Sequence, residues 1–378
     1  MRVAMVTSEL HPWKTGGPQN VAYHLANRLA EKLELSMLCI APSKGSSPYE
    51  HYREEITFHL VEDRGPTCCR YAERNLAYLR EAGSLQMCDV VHFHIMPGAN
   101  CFFLPSRLRS KSRARLVLTF YDWVPYELRF YAAGERLRHV LHWLAARPRL
   151  GLFDRYVVNS AYMKGIVLSH GYRPVEVIPN GIDAGEWALK EKAALGEGVS
   201  AFFWGRLYEK KGVGQLIRAA ALLGEGGGGF HLYIGGEGPE GERYRDMCRS
   251  LGLQGKITFL GPLTDTELKR YLAACDFCVL PSAYEGFGIS ILEAMAAGKA
   301  VITSRRGGQT DFARDRHNAI LVEPEDADGL AGAMREMIRD KQLRTRLGTA
   351  AAATAATFTW DWIADSYLDL YRRLLGRA

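Results

Sequence analysis

The chain has 378 residues, of which 47% are hydrophobic and 24% charged, and its formal net charge is +6. This length predicts two domains of similar size, and the composition, typical of soluble globular proteins, argues against extensive disorder. Because no run of about 18 apolar residues is present, we expect no membrane-spanning helix. The apolar run within Met1–Thr7 is too short for a signal peptide and predicts a first strand instead.

The first half of the sequence alternates short apolar runs with helical patterns. Val21–Leu33 has apolar residues at three- and four-residue spacing and is predicted to be a helix. The predicted strands are Val3–Thr7, Leu35–Ile40, Val90–His94, Leu116–Phe120 and Arg155–Asn159. Such alternation predicts a parallel sheet covered on both faces. The Pro and Asn-Gly within Val177–Asp183 mark a turn, which we interpret as the start of a linker.

The second half repeats the alternation. The predicted strands are Ser200–Trp204, His231–Ile234, Ile257–Leu260, Phe277–Leu280, Ala300–Thr303 and Ala319–Val322. The predicted helices are Val213–Leu223, Arg243–Leu251, Asp265–Ala274, Ser290–Ala297, Ala327–Arg339 and, closing the chain, Trp360–Leu375. Thr264 and Glu267 have the spacing of a capping box. We therefore predict two doubly wound α/β domains, in which ligands bind at the carboxyl ends of the strands.

Two of the eight cysteines, Cys275 and Cys278, form a C-x-x-C pattern. They lie at a predicted helix-to-strand transition among apolar residues, whereas a redox pair is expected at a helix N-terminus and a zinc site needs a second pair. We interpret the two cysteines as core residues. Reduced thiols predict the cytoplasm.

Basic residues are concentrated in two segments of the first half. A predicted loop without acidic residues carries Arg107, Arg109, Lys111, Arg113 and Arg115. A predicted helix that includes apolar residues and Trp143 carries Arg136, Arg138, Arg147 and Arg149. These segments suit peripheral contact with an anionic membrane, such as the inner face of the cell membrane. The alternative is a solvated helix face beside a basic loop.

The segment from Pro281 to Gly298 carries the strongest indication of chemistry. A predicted strand ends at Leu280, a glycine-containing loop follows, and a helix begins near Ser290. Loop amides and a helix N-terminus form an anion site that suits a diphosphate, and glycines let the backbone approach a ligand. Glu285 and Glu293 flank this turn. The alternative is that both glutamates are solvent-facing acids on an ordinary strand–helix unit. That alternative does not explain why two acids flank a glycine-containing turn at the carboxyl end of a strand.

The spacing of Glu285 and Glu293 resembles the Glu-x7-Glu signature of GT-B glycosyltransferases, and its surroundings resemble glycosyltransferase family 4. Three further segments are similar to motifs of that family: Val177–Asp183, Phe203–Gly212 and Ile234–Pro239. The resemblance implies two Rossmann-like domains that face each other across a cleft, with a C-terminal helix crossing back to the first domain. It implies an acceptor-binding domain over 1–180, completed by 360–378, and a nucleotide-sugar-binding domain over 181–359.

The resemblance also implies residue roles in the second domain. Arg206 and Lys211 would neutralise the diphosphate, Glu293 would hold the ribose, and Glu285 would contact the sugar hydroxyls. The remaining donor-binding positions are Leu263, Gly286, Phe287, Gly288 and Ile289. The sequence offers no Asp-x-Asp metal motif, and the resemblance implies catalysis without a metal or other cofactor.

In the first domain, the resemblance assigns Gly16 and Gly17 to a glycine turn whose amides approach the donor phosphates. It places His94 in the cleft near the sugar hydroxyls. The alternative for His94, and still more for His92, is a hydrogen-bonded histidine at a strand end. Two positions depart from the family pattern: Tyr121 stands where a histidine is usual, and Asp311 where a glutamate is usual.

The implied function is a retaining hexosyl- or N-acetylhexosaminyltransferase. It would move a sugar from a nucleoside-diphosphate sugar to a hydroxyl of a glycan, lipid-linked or small-molecule acceptor, in polysaccharide, glycolipid or other glycoconjugate synthesis. The leaving diphosphate would deprotonate the acceptor, and hinge closure at Ile178–Asp183 would exclude water. Alternatives are a GT-B sugar-nucleotide epimerase and a non-catalytic nucleotide- or glycan-binding subunit. No nucleic-acid partner is expected.

Overall fold

A computed structural model describes residues 1–8, 10–11, 17–41, 47–61, 70–94, 101, 103–123, 133–187, 191–224 and 229–377. The chain divides into two units. The first comprises Met1–Gly181 together with Trp360–Ala378, and the second comprises Ile182–Thr359. The boundary falls within the segment that the sequence marks as a linker.

The first unit is built around a seven-stranded parallel sheet. Its strands are β1 (Arg2–Val6), β2 (Glu34–Ile40), β3 (Thr57–Val61), β4 (Val90–Phe93), β5 (Arg115–Phe120), β6 (Arg155–Val158) and β7 (Val175–Val177). Their order is β3-β2-β1-β4-β5-β6-β7. The described helices between them are α1 (Gly17–Leu29), α2 (Arg70–Glu81), α3 (Leu104–Lys111), α4 (Ala133–Leu150) and α5 (Ala161–Ser169). Val3–Val6 of the central strand are fully buried, as expected for a parallel sheet covered on both faces.

The second unit contains a six-stranded parallel sheet. Its strands are β8 (Val199–Trp204), β9 (Phe230–Gly235), β10 (Ile257–Gly261), β11 (Phe277–Leu280), β12 (Ala300–Ser304) and β13 (Ile320–Val322). The helices are α6 (Val213–Leu222), α7 (Gly241–Ser250), α8 (Asp265–Ala274), α9 (Ile289–Ala296), α10 (Ala327–Arg339) and α11 (Lys341–Ala355). The order β10-β9-β8-β11-β12-β13 reverses direction at β8, which is where ligands bind in doubly wound sheets.

The last helix, α12 (Trp360–Leu374), belongs to the first unit, as the resemblance implied. It packs against α1, where the ring of Trp360 stacks on His24 with centroids 4.7 Å apart. Farther along the helix, the hydroxyl of Tyr371 lies 2.7 Å from Nδ1 of His92 on β4. The amphipathic pattern of the C-terminus is therefore explained by packing onto the first sheet and its helices.

The prediction of two doubly wound α/β domains is confirmed, and several elements need correction. The predicted basic loop is wrong, since Leu104–Lys111 is a helix and Arg115 begins β5. Leu104, Pro105 and Leu108 are the buried positions of this helix. The first helix begins at Gly17 rather than Val21. Elements that the sequence did not indicate are β3, β7, α2, α5 and α11.

Two local predictions hold in the second unit. Thr264 and Glu267 form the capping box of α8, with the Glu267 amide donating to Thr264 Oγ1. Cys275 and Cys278 are buried free thiols with sulfur atoms 3.8 Å apart, and burial raises the pKa of Cys278 well above its ordinary value. The pair is part of the core, as predicted. Within the described ranges, no helix is long and apolar enough to cross a membrane.

Candidate active site

The carboxyl ends of three neighbouring strands meet through glycines. Gly205, after β8, donates its amide to the carbonyl of Gly235 at 3.1 Å, and Gly236 donates to Gly261 at 2.6 Å. A Cβ on Gly236 would lie only 2.0 Å from the carbonyl oxygen of Gly205, so only glycine fits. This backbone packing places Arg206 at the edge of the sheet where β8 ends.

Arg206 follows β8 and Leu263 follows β10 on this edge of the sheet. Arg206 is exposed, and no other described residue forms a hydrogen bond or ion pair with its guanidinium group. Leu263 packs against Gly235, where an added Cβ would approach Leu263 Cδ1 to 2.5 Å. Both residues therefore follow strands of the second sheet at their carboxyl ends, and the Arg206 cation is exposed.

Lys211 is held by a contact between two loops. It ends a short 3-10 turn, and the following Gly212 has a φ of +74°. A Cβ on Gly212 would lie 2.3 Å from the carbonyl oxygen of Pro281, and the amide of Ala283 donates to the carbonyl of Lys210 at 2.8 Å. The loop after β8 is thereby fastened to the loop after β11.

This loop contact brings Lys211 and Glu285 together. Lys211 Nζ donates to Glu285 Oε1 at 2.6 Å, and Ser282 Oγ donates to the same oxygen at 2.8 Å. The exposed fractions of the two charged side chains are 21% and 14%. Burial favours the uncharged carboxyl, but the charge and hydrogen bond of Lys211, together with the Lys210 ammonium and the Ser282 hydroxyl, outweigh burial and hold the pKa of Glu285 below its ordinary value. Glu285 is therefore an ionised acid with a built-in counterion.

The loop from Glu285 leads directly into α9. The amide of Gly308 donates to the carbonyl of Glu285 at 2.9 Å, which fastens this loop to the next strand end. Gly288 has a φ of +95° and precedes Ile289, the first residue of the helix, whose N-terminus has no side-chain cap. Uncapped amides at a helix N-terminus are suited to bind a phosphate.

Glu293 lies one turn into α9 and faces β8. The indole Nε1 of Trp204 donates to Glu293 Oε2 at 3.4 Å. Burial, reinforced by the charge of Asp265, raises the pKa of Glu293 to about 7 against the opposing effect of the indole N–H. The two acids of the motif therefore differ, since Glu285 is firmly ionised and Glu293 titrates near neutral pH.

Residues of the first unit predicted for the site are only partly described. Gly17 is the first residue of α1, and Gly16 lies outside the described residues. His94 is 1% exposed, and its Nδ1 lies 2.6 Å from the hydroxyl of Tyr121. Burial lowers the pKa of His94 to about 3, so the ring is neutral at physiological pH, and its Nε2 has no partner among the described residues.

His92 is a hydrogen-bonded histidine at a strand end, which was the alternative to a role in the site. Its Nδ1 lies 2.7 Å from the Tyr371 hydroxyl, and its Nε2 lies 2.7 Å from Thr119 Oγ1. It is fully buried, and burial together with the neighbouring His94 lowers its pKa well below the ordinary value. His92 is thus a core histidine that links α12 to the first sheet.

Two residues of the candidate site were not predicted. Trp204 and Ser282 each donate to one acid of the motif. Trp204 stands immediately before Gly205 at a strand end, and Ser282 stands three residues before Glu285. For Trp204 the available signal was a polar hydrogen on the last residue of a buried strand, because such a donor needs a partner.

Comparison with known proteins decides the family. The family model Glycosyltransferase Family 4 matches residues 15–186, and the model Glycosyl transferases group 1 matches residues 186–354. A glycogen synthase from Mycobacterium tuberculosis is 33% identical over 401 residues, covering 98% of this chain and 94% of the relative. The chain belongs to the group 1 glycosyltransferases.

Other relatives and structures agree with this family. The group 1 glycosyltransferase described here is 28% identical to the lipopolysaccharide core biosynthesis glycosyltransferase LpsE of Rhizobium meliloti, over 97% of this chain and 98% of LpsE. Sucrose-phosphate synthase from Thermosynechococcus elongatus has a TM-score of 0.81, with 20% identity and complete coverage of both chains. Anabaena HepE in complex with UDP-glucose has a TM-score of 0.77, with 19% identity over 98% of this chain and 99% of HepE. These structures confirm the predicted GT-B fold.

Proposed function

We propose that this glycosyltransferase moves a hexosyl or N-acetylhexosaminyl group from a nucleoside-diphosphate sugar to an acceptor hydroxyl, with retention of anomeric configuration. The observation that carries the proposal is the Lys211–Glu285 pair beside the uncapped N-terminus of α9. It combines a cation, a carboxylate and backbone amides, which a sugar diphosphate requires. The complex of HepE with UDP-glucose supports this donor class, and the similarity to LpsE, a lipopolysaccharide core biosynthesis glycosyltransferase, supports glycoconjugate synthesis.

The donor diphosphate is assigned to three groups of the second unit. The exposed guanidinium of Arg206 and the ammonium of Lys211 supply positive charge, and the first amides of α9 supply hydrogen bonds. Gly286 and Phe287 belong to the same loop. These groups stabilise the charge that develops on the leaving diphosphate without a metal ion.

Glu285 and Glu293 are assigned to different parts of the donor. Both described hydrogen bonds to the Glu285 carboxylate go to Oε1, so we assign Oε2 to the sugar hydroxyls. Glu293 accepts hydrogen bonds from the ribose diol, which requires its ionised form. Trp204 orients this carboxylate through its indole N–H.

Transfer on one face of the sugar needs no protein nucleophile. The bond between the anomeric carbon and the diphosphate oxygen breaks, a bond from that carbon to the acceptor oxygen forms, and the acceptor proton passes to the diphosphate oxygen. Arg206 and Lys211 lower the barrier because they stabilise the departing charge.

Acceptor binding is assigned to the first unit. The unpartnered Nε2 of His94 would exchange a hydrogen bond with a substrate hydroxyl, since a buried polar nitrogen is costly to leave unpaired. Gly16 and Gly17 retain their proposed role near the phosphates. We propose a cytoplasmic location, which the free thiols of the described cysteines support.

A thermal-shift screen with uridine, guanosine and adenosine diphosphate sugars tests the donor class. We expect one base to raise the melting temperature of the full chain, and Arg206→Ala and Glu285→Ala to abolish both that shift and transfer while remaining folded. Folded variants that keep full transfer activity would contradict these roles. A rearranged sugar nucleotide formed from donor alone would identify an epimerase instead.

A further inference from the structure

The outer side of α4 carries an apolar stripe. Leu137, Leu141 and Leu144 follow one another at i, i+4 and i+7, and their exposed fractions are 62%, 56% and 49%. Ala146 and Leu150 of the same helix are buried, so the helix has a separate core face. A row of three exposed leucines on one helix is a typical mark of an interaction surface.

Arginines and aromatic rings surround the end of this stripe. The guanidinium of Arg147 lies 5.4 Å from the ring centroid of Trp143, and that of Arg149 lies 5.8 Å from the ring of Phe103. Phe103 itself is 48% exposed. Arg136 is exposed at the other end of the stripe. Cations beside aromatic and aliphatic side chains match the layered chemistry of a lipid headgroup region.

The helix α3 extends this surface. Because crossovers between parallel strands are right-handed, α3, between β4 and β5, and α4, between β5 and β6, cover the same face of the first sheet. Arg109 of α3 donates through Nε to the carbonyl of Leu152, just beyond α4, at 2.7 Å. The two helices therefore adjoin where α4 ends.

Most of the positive charge on α3 and in the segment that follows it is unbalanced. Asp154 pairs with Arg109 and with Arg115, at 2.6 Å and 3.2 Å. The exposed residues Arg107, Lys111 and Arg113 have no acidic partner among the described residues. The α3 side of this sheet face therefore carries three positive charges with no acidic partner in the described part of the chain.

We propose that the docking surface, defined as Leu137, Leu141, Leu144, Arg107, Lys111 and Arg113, binds an anionic lipid membrane. The leucines enter the boundary of the acyl region, and the cations contact lipid headgroups. A second copy of the chain fits less well, because a symmetric interface would bring these cations against the same cations of the other copy, which repel them. This inference is independent of the proposed function and would hold for any reaction at the candidate site.

Vesicle co-sedimentation of the full chain tests the docking surface. The probes are phosphatidylcholine vesicles with about 30% phosphatidylglycerol and vesicles of phosphatidylcholine alone. We expect binding to the anionic vesicles that weakens as salt is raised. The charge variant is Arg107→Gln/Lys111→Gln/Arg113→Gln, and the apolar variant is Leu137→Gln/Leu141→Gln/Leu144→Gln. Each should lower the partition coefficient at least about tenfold.

Matched variants in the second unit separate local from general effects. The charge control is Lys192→Gln/Arg339→Gln/Lys341→Gln, in which all three residues are exposed. The apolar control is Leu222→Gln/Leu251→Gln, whose leucines are 44% and 43% exposed. Both controls should bind vesicles like the unmodified chain, and circular dichroism should show every variant folded.

Three results would overturn the proposal. The first is that the chain binds neither vesicle type, or binds both equally. The second is that the charge variant binds vesicles like its control. The third is that the chain self-associates in ultracentrifugation and the apolar variant abolishes this association. The last result would assign the stripe to a dimer interface.

Discussion

Lys211 Nζ lies 2.6 Å from Glu285 Oε1, although 74 positions separate the two residues in the chain. The contact joins the loops after β8 and β11, which are neighbouring strands. The cation proposed for the diphosphate and the acid proposed for the sugar are therefore one electrostatic unit. Substitution of Lys211 removes the neighbouring charge that lowers the pKa of Glu285.

We expect Lys211→Met to lower transfer activity by about 10²–10³-fold, because it removes a charge that stabilises the leaving diphosphate. The same change leaves the Glu285 carboxylate without its counterion and should lower the free energy of unfolding by about 2 kcal/mol. Steady-state kinetics and denaturant unfolding measure the two effects. Lys192→Met, which removes an exposed cation outside the candidate site, is the control and should change both far less.

Coupling within this pair can be measured directly. In a double-mutant cycle with Glu285→Gln, the loss of stability for Lys211→Met/Glu285→Gln should be smaller than the sum of the single losses. Strict additivity would show that the two side chains do not interact in solution.

The raised pKa of Glu293 predicts that donor binding depends on pH. Its pKa is about 7 in the folded chain against an ordinary value of 4.5, so the folded form holds more protons in this window. Stability contributed by this group therefore falls as the pH rises from about 4.5 to 7. Donor affinity should rise as the pH passes through about 7, because the ionised carboxylate accepts both ribose hydroxyls. Calorimetric titration between pH 6 and 8 measures this change, and Glu293→Gln should flatten it.

Trp204 provides a second test of the same carboxylate. Trp204→Phe removes the N–H donated to Glu293 Oε2 while retaining a ring against Phe202, whose centroid lies 5.2 Å away. The pKa of Glu293 should then rise further, which moves the midpoint of donor binding to higher pH. Trp362→Phe, on an exposed face of α12, should leave the midpoint unchanged. A midpoint that stays in place in Trp204→Phe would show that the indole does not influence Glu293.

Gly212 is expected to be essential to the loop contact. Gly212→Ala combines a φ of +74° with a Cβ 2.3 Å from the Pro281 carbonyl, and should lower the free energy of unfolding by roughly 3 kcal/mol. Gly224→Ala is the matched control, since Gly224 has a φ of +60° with no atom within 4 Å of the added Cβ. That control should cost about 1 kcal/mol. If calorimetric unfolding shows that both variants lose the same free energy of unfolding, the clash with the Pro281 carbonyl does not cause the loss in Gly212→Ala.

Much of the fold was predictable because buried parallel strands are continuous apolar runs. Phe277–Leu280, Asp265–Ala274 and Ala327–Arg339 have the predicted bounds. The edge strand β3 escaped notice because only its last residue, Val61, is buried and polar residues interrupt it. The helix α11 was missed because it packs through small residues: a Cβ on Gly348 would lie 2.3 Å from the Gly298 carbonyl.

The candidate site was predictable in its residues but not in its pairings. The positions of Glu285, Glu293, Arg206 and Lys211 followed from motifs at strand ends. Their different charge states depend on burial and on neighbours brought together by folding, such as Lys211 for one acid and Trp204 for the other. No local pattern encodes those neighbours, because glycine-mediated contacts between separate loops create them.

Calorimetric titration of the full chain with nucleoside-diphosphate sugars tests the donor site most directly. The variant Arg206→Ala/Lys211→Met removes its two cations, and Lys192→Gln/Lys341→Gln removes two exposed cations outside the candidate site. We predict saturable binding of one sugar nucleotide, lost in the first variant and unchanged in the second. No binding of any sugar nucleotide, or equal binding by both variants, would contradict a donor site at the carboxyl ends of β8 and β11.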